Sequence, residues 1–212
     1  MDTMLQLVQI AFYITIATVA VMTFLKAKRG LLNSVNTEYQ KKVLDRLANL
    51  SEEIYEEFDP SSNKYWAKER AAKEVLERIH EEIKPFKHEI ITSKEIGVGK
   101  PMPKRWEELR SYLDKIKSDP FIPHAIRYSV ATLLEKRVET IFLSYVEELD
   151  AYFDGLKEGK YWSTLEDNEG WFHNKINERL YANNCGISQV EEAAHEIRKE
   201  IQDYFQAFDP IK

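Results

Sequence analysis

From Thr3 to Leu25 the chain carries no charged residue. A helix of that length rises roughly 33 Å, close to the hydrocarbon thickness of a bilayer, about 30 Å. Three fates fit such a run: a permanent membrane anchor, a cleaved export signal, or a core helix. An export signal carries positive charge before its apolar stretch and a small-residue cleavage site after it. Here the order is reversed, with Asp2 before the run and Lys26, Lys28 and Arg29 after it. Core helices average only about three to four turns. The pattern predicts a single-pass transmembrane helix over residues 1–29, with the lipid bilayer as its first partner. Under the positive-inside rule the Lys26/Lys28/Arg29 cluster stays inside, against anionic lipid headgroups. The N-terminus then lies outside the inner (plasma) membrane, and residues 30–212 form a cytoplasmic domain.

Polar residues within the run are not scattered. On a helical projection Gln6, Gln9, Tyr13, Ala17 and Ala20 share one stripe, the small and polar surface through which membrane helices associate. The stripe predicts a homo-oligomer. The alternative is that Gln6 and Gln9 simply reach the outer headgroup zone.

The rest of the chain has globular composition, 43% hydrophobic and 12% aromatic overall, and is long enough for one domain with its own core. From Gly30 onward 27 basic residues face 35 acidic ones, a net charge of −8. That balance is unfavourable for phosphate backbones, so no nucleic-acid partner is expected, and no basic patch is evident beyond the membrane-proximal lysines. One cysteine, Cys185, excludes an intrachain disulfide and a Cys-rich zinc site.

Seven glycines and seven prolines punctuate the chain, and apolar residues between them recur at three and four, not two. The fold class is therefore all-α: the anchor followed by an antiparallel bundle of about six helices. The first cytoplasmic helix is expected from Asn36 or Thr37, with Thr37-x-x-Gln40 as capping box, to Asp59-Pro60. A second runs to Pro85, "TSKEIGVGKPMP" is irregular, and a short helix carries Trp106, Leu109, Leu113 and Ile116. A long helix runs from Pro123 to Gly155. Another, around Trp171 to Tyr181, ends at Gly186, which suits a left-handed cap. The last opens on a Ser188-x-x-Glu191 box and carries Val190 through Phe208. An internal similarity, Lys41-Lys42-Val43 to Phe58-Asp59 against Lys136-Arg137-Val138 to Phe153-Asp154, suggests a duplicated hairpin.

No motif with recognisable chemistry survives. Glu77-x-x-His80 and Glu192-x-x-His195 resemble in spacing the ligand pairs of dimetal bundles. Glu77, Glu192 and His195 project away from their apolar stripes, however, so both pairs read as solvated surface and no metal or cofactor is expected. "GVGK" lacks the first glycine and the Ser/Thr of a phosphate loop and reads as a flexible connector. A helical-bundle ribonuclease would need an Arg followed by His after four to six residues, and no such pair exists. The weak catalytic candidates are His173, Asn177 and Arg179. The sequence favours a membrane-anchored cytoplasmic scaffold or interaction module, oligomeric and bound to a protein partner, rather than an enzyme. The alternatives are a pore-forming effector of a bacterial defence or toxin system and an enzyme using the His173 region.

Overall fold

The computed structural model describes residues 2–162 and 165–207, without side chains at 2–5, 7–11, 31, 34 and 165–167. Every regular element among them is helical. In order these are α1 (Asp2–Tyr55), α2 (Ala71–Ile83), α3 (Lys87–Ser93), α4 (Lys104–Ser118), α5 (His124–Lys157), α6 (Leu165–Ala182) and α7 (Ile187–Ala207). One-turn 3-10 segments stand at Trp66–Lys68 and Lys84–Phe86. The chain divides into two compact units, Met1–Arg46 and Leu47–Lys212.

The first unit is a single stretch of α1. The expected helix start at Asn36 or Thr37 does not exist, because the helix is already running there. Thr37 is no cap: its hydroxyl donates to the Asn33 carbonyl one turn back, at 2.8 Å. The same back-bonding occurs between Thr18 and Ile14, at 2.8 Å. Gly30 is the sole helix breaker between Lys26 and Tyr39, and one mid-helix glycine costs only about 1 kcal/mol against alanine. All side chains from Phe12 to Arg29 are exposed, Tyr13, Ala17, Ala20, Lys26, Lys28 and Arg29 among them, and so is Gln6. Among the described residues no helix is long and apolar enough to cross a membrane. The expected span, Thr3 to Leu25, falls partly on side chains outside the description, Gln9 included.

The second unit is a bundle built on α5. Its largest core gathers Val75, Leu76, Ile79 and Ile83 of α2, Ile90 of α3, Tyr145, Leu149, Tyr152, Phe153 and Leu156 of α5, and Phe172 and Ile176 of α6. These recur at three and four along each helix, which puts one stripe inward. The α4–α5 pair is antiparallel: Trp106 near the start of α4 donates its indole N–H to the Val138 carbonyl at 2.9 Å, while Arg127 reaches Asp119 O beyond its end, at 3.1 Å. A smaller cluster joins Phe58 to Val190 and Ala194 of α7.

Several local expectations change. Segment 94–103 is a strap, not a free connector. Ile96, Val98 and Met102 pack against the main core, Lys100 pairs with Asp150 at 2.6 Å, and Arg78 donates to the Met102 carbonyl at 3.3 Å. The left-handed residue after α6 is Asn184 (φ 54°), not Gly186. Gly186 is required for space, since a Cβ there would run into the Tyr181 ring. It also begins α7: its carbonyl accepts the Val190 N–H at 3.0 Å, and its own N–H donates to Gln189 Oε1 at 2.9 Å. The capping arrangement is thus Gly186-x-x-Gln189, two residues ahead of the expected Ser188 box. Phe208 lies outside the described residues. The similar segments around Phe58 and Phe153 differ locally, because α1 stops at Tyr55 while α5 continues to Lys157.

Candidate functional site

Three polar constellations lie within the second unit. The first is ionic and buried. Glu57, just past the end of α1 and only 7% exposed, receives both terminal nitrogens of Arg137 from α5, at 2.8 and 2.9 Å. Arg105 of α4 joins it at 3.0 Å. Burial alone would raise the Glu57 pKa, but the two guanidiniums outweigh it and hold the carboxyl below its ordinary value. Burial likewise works against the charge on Arg137, and Glu57 reverses it. The cluster locks the α1–α2 connection to α4 and α5, and Glu69 stands in the same field, its carboxyl pushed up by burial against the pull of Arg105.

The second constellation is neutral. Tyr152 is fully buried and its hydroxyl lies 2.6 Å from His80 Nε2. The Asn168 amide donates to the Tyr161 carbonyl at 2.9 Å and, at 3.5 Å, toward the Tyr152 oxygen. With that oxygen accepting from Asn168, the phenolic proton points to an unprotonated Nε2. Burial, seconded by Lys84, lowers the His80 pKa, in keeping with a neutral ring. Burial also pushes the Tyr152 hydroxyl up to about 12, with Asn168 opposing and Tyr161 adding. Aromatic rings complete the assembly: Tyr161 stacks on Tyr152 at 5.1 Å and on Trp171 at 5.5 Å. Tyr161 takes a left-handed backbone, φ 64°, which costs about 1–2 kcal/mol for a residue with a Cβ. Its ring enters only because Gly155 has no side chain.

The third is an open groove of about 460 Å³ between the end of α1 and α7. Ser51, His195, Arg198, Lys199 and Gln202 rim it, with Ile201 and Phe205. The Arg198 guanidinium lies 4.4 Å from the centre of the Tyr55 ring and its Nε donates to Ser51 Oγ at 3.1 Å. Two cations, Arg198 and Lys199, thus line one groove in a domain of strongly acidic balance.

The sequence candidates map as follows. Asn177 and His173 meet across one turn of α6, with 2.8 Å between Nδ2 and Nε2, on the surface. Arg179 does not join them through any recorded bond. It is turned to α5, where it pairs with Glu148 and Glu147, and the Glu148 bond leads in raising its pKa. Of the two Glu-x-x-His pairs, Glu77 lies 3.6 Å from Lys73, His80 is committed to Tyr152, and His195 packs on the Tyr55 ring at 5.4 Å. His80 is thus a correction: it is half-buried and bonded, not solvated. Among the described residues no three His, Cys, Asp or Glu side chains are placed to hold a metal ion. Cys185 is buried, with its thiol 3.5 Å from Thr140 Oγ1.

Sequence reasoning missed the Glu57–Arg137 pair and the His80–Tyr152 pair, whose partners stand 80 and 72 residues apart. No periodicity carries that information. The groove was findable in part, since Ser51, Tyr55, His195 and Arg198 all lie on elements read correctly as helices. No protein-family model, curated protein or solved structure matches the chain.

Proposed function

We propose that the protein is a membrane-anchored helical interaction module: the N-terminal part of α1 sits in the inner (plasma) membrane and the bundle from Leu47 onward presents binding surfaces on the cytoplasmic side. The observation that carries this reading is the state of α1 between Phe12 and Leu25. Phe12, Ile14, Ile16, Val19, Val21, Met22, Phe24 and Leu25 are all between 46% and 67% exposed. They occupy every side of the helix, so no single protein face could cover them, whereas lipid covers a helix all round. The uncharged run from Thr3 and the Lys26/Lys28/Arg29 cluster beyond it give the length and the orientation. Homo-oligomer formation through Gln6, Gln9, Tyr13, Ala17 and Ala20, and a protein partner for the bundle, belong to the same proposal.

The test is alkaline carbonate extraction of native membranes together with a reporter fused after Lys212. The protein is expected to stay with the bilayer and the reporter to be active only in the cytoplasm. Release into the supernatant, or activity only on the oxidising side, overturns the proposal. The pore-forming alternative shares the anchor and demands in addition a ring with a central channel in images of the solubilised oligomer. The enzyme alternative draws less support, because Arg179 is engaged on α5 and leaves His173 with Asn177 alone.

A further inference from the structure

We infer that the groove between the end of α1 and α7 binds the phosphate group of a small phosphomonoester, held by Arg198 and Lys199 and flanked by His195. The argument begins with pairing. The described surface carries ion pairs such as Lys100–Asp150, 2.6 Å, and Lys117–Glu135, 2.6 Å. Arg198 and Lys199 are the cations on the rim of the groove, and neither makes an ion pair among the described residues. Glu196 and Asp203 stand three residues before and four after Lys199 on the same helix, so carboxylates within ordinary helical pairing range are passed over.

Arg198 is also held in place. Its Nε is bonded to Ser51 and its plane is supported by the Tyr55 ring, which leaves the two terminal nitrogens as a fork with no protein partner among the described residues. A supported fork loses less conformational freedom on binding than a free one. A fork takes two oxygens of a tetrahedral anion, and a lysine ammonium beside it can take a third; a planar carboxylate would use only the fork. Gln202 and the Ser51 hydroxyl add neutral donors at the rim. Ile201 and Phe205 provide an apolar wall, suited to the carbon portion of an ester. A volume of about 460 Å³ lies within the ordinary range for small-molecule sites, roughly 300–1,000 Å³.

A phosphomonoester can come from a soluble metabolite or from a lipid headgroup, and the test separates them. Full-length protein in neutral detergent is titrated by calorimetry with inorganic phosphate, acetate and glycerol 3-phosphate at physiological ionic strength. Nanodiscs of phosphatidylcholine with and without phosphatidic acid provide the lipid arm. Saturable phosphate binding is expected, tighter than acetate and weakened about tenfold or more in Lys199→Gln, as for loss of one charge-assisted hydrogen bond. Lys199 is exposed and makes no hydrogen bond or ion pair among the described residues, so that variant is expected to leave the fold intact; Arg198→Lys, which keeps the charge and removes the fork, is expected to weaken phosphate more than acetate. Lys73→Gln, on α2, serves as the control. Competition by glycerol 3-phosphate assigns a soluble ester, and selective capture by phosphatidic acid assigns a headgroup. Absence of saturable phosphate binding, or an affinity unmoved by Lys199→Gln, overturns the inference.

Discussion

The bundle buries polar groups in two places and satisfies them by opposite means. Around Glu57 the charge is kept: one carboxylate meets two guanidiniums, and the attraction holds Glu57 and Arg137 ionised against the burial that opposes both charges. Around Tyr152 charge is excluded: a neutral phenol, a neutral imidazole and an amide share one set of hydrogen bonds among stacked rings. The contrast teaches where each solution fits. The ionic cluster joins α4, α5 and the chain leaving α1, adding a directional contact to the apolar stripes of α4 and α5. The neutral cluster borders the main apolar core, where an unpaired charge is costly.

The sharpest way to break the comparison is to remove the carboxylate. Glu57→Ala strips the largely buried Arg137 and Arg105 of the carboxylate they share, and a loss of about 3–5 kcal/mol is expected from urea unfolding. A double change, Glu57→Leu with Arg137→Met, removes the closest charges together and is expected to cost much less. Equal costs for the two variants would mean that the ions act through packing alone. Acid should reach the same cluster. Because the folded pKa of Glu57 is lowered, its contribution is complete above the unfolded value of about 4.5 and is lost as pH falls through the folded value. Unfolding titrations across that window check the sign.

A smaller effect is expected at the neutral cluster. Tyr152→Phe keeps the ring stacking and deletes one hydroxyl, which strips His80 Nε2 of its donor; about 1–3 kcal/mol is the usual cost of leaving a buried group unsatisfied. Its pH signature runs the other way from that of Glu57 at the alkaline end. The Tyr152 pKa is raised from 10.0 to about 12, so its stability contribution is full below 10 and declines as pH rises toward 12. His80 has a lowered folded pKa, so stability declines as pH falls below its unfolded value of 6.5. In Tyr152→Phe the alkaline loss should shrink but not vanish, because burial raises the Tyr145 pKa as well; the tyrosinate absorbance band and thermal unfolding follow it.

What the sequence disclosed, and what it hid, follows the range of the interactions. Stripes such as Leu76, Ile79 and Ile83, or Val190, Ala194, Ile197 and Ile201, are local and periodic, and they placed α2 and α7 correctly. The strap was not legible, since "GVGK" read as a flexible connector; the alternation of half-buried Ile96, Val98 and Lys100 with exposed Gly97 and Gly99 emerges only once the segment is packed. Caps were read less well. Thr37 and Ser188 offer the same hydroxyl to a cap or to a running helix, and only backbone geometry decides. Glu57 and Arg137 were invisible as a pair because charge complementarity over 80 residues leaves no local mark. Of the candidate site, the helical positions of His195 and Arg198 could be read; the fork of Arg198 against Tyr55 could not, because it needs α1 and α7 side by side.

The smallest expected effect tests the assignment of the two Glu-x-x-His histidines to different environments. His80 and His195 sit at the same place in their motifs, yet His80 is half-buried and bonded to a buried phenol while His195 is exposed against the face of Tyr55. His195→Gln should therefore change unfolding free energy by no more than about 0.5 kcal/mol, as at an ordinary surface position. It retains a polar group at the groove and removes only an edge of ring contact. His80→Gln should cost more, since the flexible amide must find Tyr152 from a position shaped for a planar ring, and the loss of acid sensitivity near pH 6.5 should accompany that change alone. The pair of variants thus isolates environment from sequence context. A large loss at His195 with none at His80 would reverse the assignment, and would place the more consequential imidazole on the groove instead of in the core.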